Sequence, residues 1–327
     1  MRTFDYVRAE TVEQAVHHHA QSDAAFFLAG GTTLLDLVKL DVMRPVQVID
    51  VNHLPLKQID VLKDGRVRIG ALVSNTALAR HDYIRAHYPV LSQALLSGAT
   101  TQLRNKATTA GNLMQRARCD YFRDGVSPCN KRDPGSGCAA LEGYNRSVHA
   151  VLGTSDQCIA SHPSDMCVAM AAIGAQVEVQ GPKGARQIDF LDFHLLPGAT
   201  PSREHALQPD EMITYVVLDA PLTSSRSGYL KLRDRASYQF ALASSAVILV
   251  VEGDTVKDVR IAMGGVGTKP WRALAAEQAL KNTTLTRETL DNAAAIALQG
   301  AVPYRHNAFK IPLAQQAIIR NVDILMA

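Results

Sequence analysis

The stretch AAFFLAGGTTLLDLVKL, residues 24–40, decides the fold. Ala24–Leu28 is an apolar run of the length a buried strand takes, and it leads straight into Gly30-Gly31-Thr32-Thr33. Beyond the turn, Leu34, Leu35, Leu37, Val38 and Leu40 read as a helix. Strand, Gly-Gly turn and helix together present backbone N–H groups to an anion, because glycine allows close approach and a helix N-terminus favours negative charge. A plain tight turn is the competing reading. The motif has neither the GxGxxG spacing of a dinucleotide fold nor the GK[ST] ending of a P-loop.

Working outward, Thr11 with Gln14 makes a capping-box signature before Val12, Ala15 and Val16, so a short helix precedes the strand. Downstream, Val46–Val51 and Arg66–Ala71 read as strands around a turn-rich segment with Pro55 and Asp64-Gly65, and helical stretches follow at 76–80 and 90–97. These lead to a second glycine-bearing polar loop, Thr108-Thr109-Ala110-Gly111-Asn112, able to serve a second phosphate or a flavin ring. Two such loops in one domain favour a diphosphate-bearing cofactor. Farther on, His162-Pro163-Ser164-Asp165 starts an apolar helix over 166–173, with Ser164 or Asp165 as its cap and Gly174 as its stop. Asp165 has a second reading, as an acceptor for a ligand's hydroxyls. A hairpin over AQVEVQ and ARQIDF and a strand over Met212–Leu218 complete this part. Past about residue 225 the pattern turns to antiparallel strands around Gly253-Asp254, then to helical stretches at 271–280, 287–298 and 308–324.

Four of the five cysteines, Cys119, Cys129, Cys138 and Cys158, fall in a segment rich in Gly, Pro, Asp and Arg, whose shape is not expected to come from a hydrophobic core. The opening MRTFDYVRAETVEQ carries no apolar leader, so a reducing compartment is expected and clustered thiols read as metal ligands before disulfides. Gaps of nine, eight and nineteen residues suit isolated thiolates around an iron-sulfur cluster better than the tight pairs of structural zinc. Zinc stays open on spacing alone. Cys167, within the apolar helix, reads as a core thiol. Around the cluster residues, Arg116, Arg118, Arg123, Lys131 and Arg132 interleave with Asp120, Asp124 and Asp133, which reads as a solvated or subunit-contacting loop rather than a phosphate patch. The run His17-His18-His19 reads as a solvated helix face, because consecutive residues point different ways. A net charge of +3 is too weak to argue for a nucleic-acid binder, no apolar run is long enough for a membrane span, and no catalytic triad stands in a recognisable setting.

AGGTTLL (29–35), QLRNKATTAGNL (102–113), Ser164-Asp165, DEMI (210–213) and GYLKLRDRASYQFALASSAV (228–247), in this order, resemble the FAD-binding medium subunit of the xanthine dehydrogenase and molybdenum hydroxylase family. The resemblance spans essentially the whole chain. The cysteine segment is inserted between the second loop and Ser164-Asp165, and RCDYFRD…PCNKRDPGSGC is similar to the flavin subunit of bacterial periplasmic-type aldehyde oxidoreductases, which carries an extra 4Fe-4S cluster.

The resemblance implies an α+β chain. A two-subdomain FAD-binding fold of the vanillyl-alcohol-oxidase type would occupy 1–225, divided near residue 58, with the Fe-S loop at 116–160. A C-terminal domain of antiparallel sheet packed with helices would occupy 226–327. Phe27, Leu28, Ala29, Gly30, Gly31, Thr32, Thr33 and Leu34 would wrap the FAD pyrophosphate, and Thr108, Ala110, Gly111 and Asn112 would form the second wall. Asp165 would bond the ribityl or adenosine part, Ile213 would pack near the isoalloxazine, and Lys231 would sit at the flavin's polar edge. Cys119, Cys129, Cys138 and Cys158 would ligate the 4Fe-4S cluster. Ala110 departs from the family's glycine at that position. The implied function is electron transfer: a large molybdenum subunit oxidises an aldehyde, a small subunit relays electrons through 2Fe-2S centres, and FAD on this chain passes them to an external acceptor. The compartment would be the cytoplasm, or the periplasm if a partner carries the export signal. Other readings are a zinc-stabilised binding module, a flavin oxidase acting alone, and the FAD subunit of a xanthine or aroyl-CoA type hydroxylase.

Overall fold

The structure, a computed structural model, describes residues 2–327. Its first lobe is a small parallel sheet. Strand β1 (Asp5–Arg8), helix α1 (Val12–His19), β2 (Ala25–Leu28), α2 (Leu34–Lys39) and β3 (Gln47–Asp50) follow in sequence, and the strands lie in the order β1-β3-β2. Thr11 Oγ1 caps α1 by accepting the Gln14 N–H, while Gln14 Oε1 accepts from Glu10 rather than from the cap residue itself. The Gly-Gly turn leaves the carboxyl end of β2, the end at which open parallel sheets bind ligands.

A second lobe begins with β4 (Ile59–Val61) and β5 (Val67–Gly70) and continues through five short helices: α3 (Asn75–Arg80), α4 (Asp82–His87), α5 (Pro89–Ser97), α6 (Thr101–Lys106) and α7 (Thr109–Leu113). The cysteine segment contributes one helical turn, α8 (Asp120–Arg123). Then come α9 (Asp165–Ile173), the hairpin β6 (Ala175–Gly181) and β7 (Gly184–Asp189), α10 (Phe190–Phe193) and β8 (Met212–Leu218). The strands form one sheet, β4-β5-β8-β6-β7, antiparallel throughout. In β6, alternate residues Ala175, Val177 and Val179 are buried, the period-two signature of a strand with one face on the core. Helix α9 is buried along its whole length and is the hub of this lobe. Ser164, not Asp165, caps it, accepting the Cys167 N–H at 3.1 Å, and Gly174 at φ 89° ends it.

The C-terminal lobe holds β9 (Arg226–Leu232), β10 (Ala243–Glu252), β11 (Thr255–Gly264) and β12 (Trp271–Arg272), all antiparallel, backed by α11 (Leu274–Leu280), α12 (Arg287–Ala297) and α13 (Lys310–Met326). Helical structure expected from residue 271 starts only at 274, because Trp271 and Arg272 pair with Met263 and Ala262 as an edge strand. Residues 148–152 form no helix or strand. That segment is held by isolated bridges, His149 to Ala160 and Leu152 to Gly267.

The cysteine segment differs from expectation in two ways. It has a small core, in which Leu37 of α2, Ala117, Phe122, Ala140, Ile159 and Ala160 pack with Cys119, Cys129 and Cys158. Its basic side chains are not a solvated surface either. Arg132 is almost buried and donates to the carbonyls of Tyr121 and Phe122. Arg116 pairs with Glu204 at 2.6 Å, and Arg118 and Arg123 both reach Asp36 on α2. These charges are internal struts, invisible to a reading of local composition because their partners lie far away in sequence.

Candidate functional site

A cleft of about 1190 Å³ opens between the first two lobes, above the range of about 300–1,000 Å³ typical of small-molecule sites. Two turns build it. Gly30 lies against the backbone of Lys106: a Cβ on Gly30 would fall 1.9 Å from the Lys106 carbonyl oxygen, so only glycine lets the two loops meet. Gly31 follows with φ +72°, in the left-handed region that glycine enters at least cost. Asn52 pins the start of the turn, donating from Nδ2 to the Leu28 and Ala29 carbonyls, and Asp50 beneath it accepts from Asn52 and from Tyr6. In the second loop Thr108 Oγ1 caps α7 by accepting the Gly111 N–H at 3.2 Å, and the same oxygen would stand 2.9 Å from a Cβ on Gly111.

Phe27, Ala29, Gly30, Gly31, Thr32, Thr33 and Leu34 line one wall of the cleft, Thr108, Ala110 and Gly111 another, and Ile213 a third. The structure thus gathers most of the residues expected to touch a cofactor, from segments almost two hundred positions apart. Leu28 and Asn112 sit behind the walls. Asn112 Oδ1 accepts from Gln115 Nε2 and from Ser164 Oγ, so it ties the second loop to the start of α9.

Asp165 and Lys231 also lie off this cleft. Their side chains, 10% and 4% exposed, meet as an ion pair at 2.8 Å, with Tyr229 donating to the other Asp165 oxygen at 2.6 Å. Burial and the Asp165 carboxylate push the Tyr229 hydroxyl pKa well up, keeping it a donor. Asp165 faces a separate small cavity shared with Arg118, His162 and Phe240.

The cleft is also lined by histidines that no local sequence pattern assigned to it. His19 stacks on Phe27 with ring centroids 4.4 Å apart and faces the cleft, so one ring of the histidine run is not on a solvated face. His162, His194 and His205 line it too. Burial lowers the pKa of all four, to about 4 for His194, so they are neutral donors or acceptors near pH 7. The Nδ1 atoms of His19, His194 and His205 have no partner within the chain. Arg116, Lys131 and Glu204 close this end: burial opposes ionisation of Glu204, but Arg116 and Lys131 outweigh it and hold its pKa below the usual range.

Lys131 also lines a second cavity, which holds all four loop cysteines. Cys129 and Cys138 face each other across an antiparallel bridge, and Cys119 and Cys158 approach from separate segments. Backbone N–H groups point at the sulfurs: those of Phe122 and Tyr121 at Cys119, of Ala140, Leu141 and Ile159 at Cys138, and of Ala160 at Cys158. Burial nevertheless pushes the Cys119, Cys138 and Cys158 thiols up, Cys119 to about 12 and Cys158 to about 11. Among the described residues, one group of three His, Cys, Asp or Glu ligand atoms lies within 4.8 Å of one another, that of His162, Cys167 and His194; no three of the loop thiols come that close together. The His162–Cys167–His194 group is a packed one: His194 Nε2 bonds the Leu113 carbonyl, the two rings meet edge-on at 4.4 Å, and burial lifts the Cys167 thiol to about 12.

The family described as the FAD binding domain in molybdopterin dehydrogenase matches residues 2–221, and the CO dehydrogenase flavoprotein C-terminal domain matches residues 228–323. The chain is 49% identical to the aldehyde oxidoreductase FAD-binding subunit PaoB of Escherichia coli (strain K12), over 97% of this chain and 96% of that one. It is 26% identical to the carbon monoxide dehydrogenase medium chain of Afipia carboxidovorans, over 90% and 85%. Among solved structures, carbon monoxide dehydrogenase from Hydrogenophaga pseudoflava superposes with a TM-score of 0.78 at 25% identity, over 99% of this chain and 98% of that one.

Proposed function

The chain belongs to the FAD-binding flavoproteins of the molybdopterin dehydrogenases, and from that premise we propose that it is the electron-transferring flavin subunit of a molybdenum-containing aldehyde oxidoreductase. The observation that carries this reading is the close approach of the Gly30 turn to the Lys106 carbonyl, at the end of α6 just before the second glycine loop, at the edge of a cleft large enough for a dinucleotide. When bound, the flavin accepts electrons from a partner's redox centre and hands them to an external acceptor. The chain's own residues do the holding. The turn at 30–34 and the loop at 108–111 grip the pyrophosphate between them, His19 on Phe27 flanks one end, and Ile213 supplies an apolar face. Partners are a large molybdenum subunit and a small 2Fe-2S subunit, in line with its likeness to the medium chain of carbon monoxide dehydrogenase.

The loop cysteines suit a 4Fe-4S cluster. Four thiols surround one cavity, three of them buried and Cys138 half-buried, and N–H groups are aimed at three of them. The raised pKa values of Cys119, Cys138 and Cys158 fit a site whose protons leave only when metal charge replaces them. Cys119, Cys129, Cys138 and Cys158 are the ligands in this reading.

Reduction of bound flavin tests the proposal. Aldehyde added to the chain alone leaves the flavin bands near their oxidised intensity, whereas aldehyde added with the molybdenum and 2Fe-2S subunits bleaches them. Bleaching of the isolated chain would instead make it an oxidase acting by itself.

A further inference from the structure

Beside the cysteine cavity stands one polar side chain that the proposed function leaves unused. His149 is 1% exposed, and its Nε2 lies 3.3 Å from Cys119 Sγ. Its Nδ1 has no partner. The ring is fixed by its backbone: the His149–Ala160 bridge is closed by the Ala150 N–H to the Ile159 carbonyl at 2.8 Å and the Ser161 N–H to the Val148 carbonyl at 3.0 Å. The segment that carries Cys158 thus also places His149, and Tyr121 lies near the ring with centroids 6.5 Å apart.

We propose that His149 is a positioning residue for the iron-sulfur cluster, donating an Nε2–H hydrogen bond to the Cys119 thiolate and thereby raising the cluster's reduction potential. The inference rests on the cluster reading given above. A thiolate bound to iron has no proton and can only accept, so the Nε2–Sγ contact can be a hydrogen bond only if the nitrogen carries the hydrogen. A neutral ring in that tautomer leaves a bare lone pair at Nδ1, which costs less to bury unpaired than a second N–H beside no acceptor. Hydrogen bonds to ligand sulfurs draw off negative charge and favour the reduced cluster. The backbone N–H groups already aimed at Cys119 come from its own helical turn, α8. His149 is the donor that comes from outside that turn, and therefore the one a substitution can remove without altering the cysteine loop's backbone.

The test is an EPR-monitored redox titration of the assembled complex as purified, comparing wild type with His149→Leu, His149→Phe and His149→Gln. At a fixed potential, Leu or Phe is expected to lower the reduced-to-oxidised ratio of this cluster about tenfold, equivalent to a midpoint more negative by about 59 mV for one electron. Gln, which keeps an N–H donor, should recover most of that shift. An intact cluster with an unchanged midpoint in both Leu and Phe variants overturns the inference. So does loss of the cluster in all three variants, Gln included, because His149 would then be a ligand or a folding element. A wild-type complex without this cluster's signal fails the cluster reading itself, a different result from an unchanged midpoint.

Discussion

Gly30 has no space for a side chain, since its missing Cβ would overlap the Lys106 carbonyl oxygen. Gly30→Ala must therefore push the two loops apart or tilt the turn at 30–34. The expected result is protein that still folds, because the site is at a cleft edge, but is purified with less than about a tenth of the wild-type flavin, corresponding to about 1.4 kcal/mol or more of lost binding. Flavin released by heat and measured by fluorescence checks this; full flavin content would show that the loops are not the grip. At this scale the sequence was most informative where glycine and threonine mark backbone geometry. It was least informative for His19, His162, His194 and His205, since a histidine faces a cleft or solvent according to the packing of its element, and no local pattern encodes that. The same limit applies to Asp165 and Lys231. Both stand in recognisable motifs, yet their contact with each other joins segments 66 residues apart.

Elements explain why those two matter. Asp165 begins α9, and Lys231 and Tyr229 lie on β9, so the buried pair fastens the hub helix of the second lobe to the C-terminal sheet. Asp165→Asn leaves Lys231 charged and without its counter-ion, at a cost of about 3–5 kcal/mol read from urea unfolding, while the double variant Asp165→Asn with Lys231→Met recovers most of it. If Asp165 instead serves the flavin, the single variant loses flavin with little change in unfolding. Arginines complete the fastening, with Arg260 and Arg272 donating to the last carbonyls of α9. The strong elements were legible, with β6 alternating buried and half-buried residues: the hairpin β6–β7, β8 and α12 fall within a residue or two of expectation. β1, mostly exposed, and β4, an exposed edge strand, gave no such pattern, because their place is fixed by pairing with β3 and β5 rather than by their own alternation.

Across the whole molecule, the cysteine insertion acts as a keystone. It touches α2 through Leu37 and Asp36, the cleft through Arg116 and Lys131, and the C-terminal lobe through Asn145, which accepts the His306 N–H, and Ser147, whose carbonyl accepts from Lys310. Lys310 is fully buried, donates only to the Ser147 and Gly265 carbonyls, and has its pKa pushed by burial to about 7. The unfolded chain holds this proton up to about pH 10.4, so between about pH 7 and 10 it binds more protons than the folded one, and stability rises with pH over that window. Lys310→Met should flatten this rise in unfolding measured from pH 7 to 10; an unchanged slope would mean that Lys310 keeps its charge when folded. Nothing in the insertion's composition announced such contacts. Its spacing disclosed the thiols, but the struts that place them come from every other part of the fold.

The flavin and the cysteine cavity share Lys131 as a wall, so the account stands or falls on both groups residing on this one chain. Flavin, iron, acid-labile sulfide and zinc measured on the anaerobically purified chain test this most directly. The prediction is FAD together with iron and sulfide in equal amounts, the metal lost on replacing Cys129 with Ser and the flavin lost on replacing Gly30 with Ala. A colourless protein holding zinc at the cysteines would contradict it.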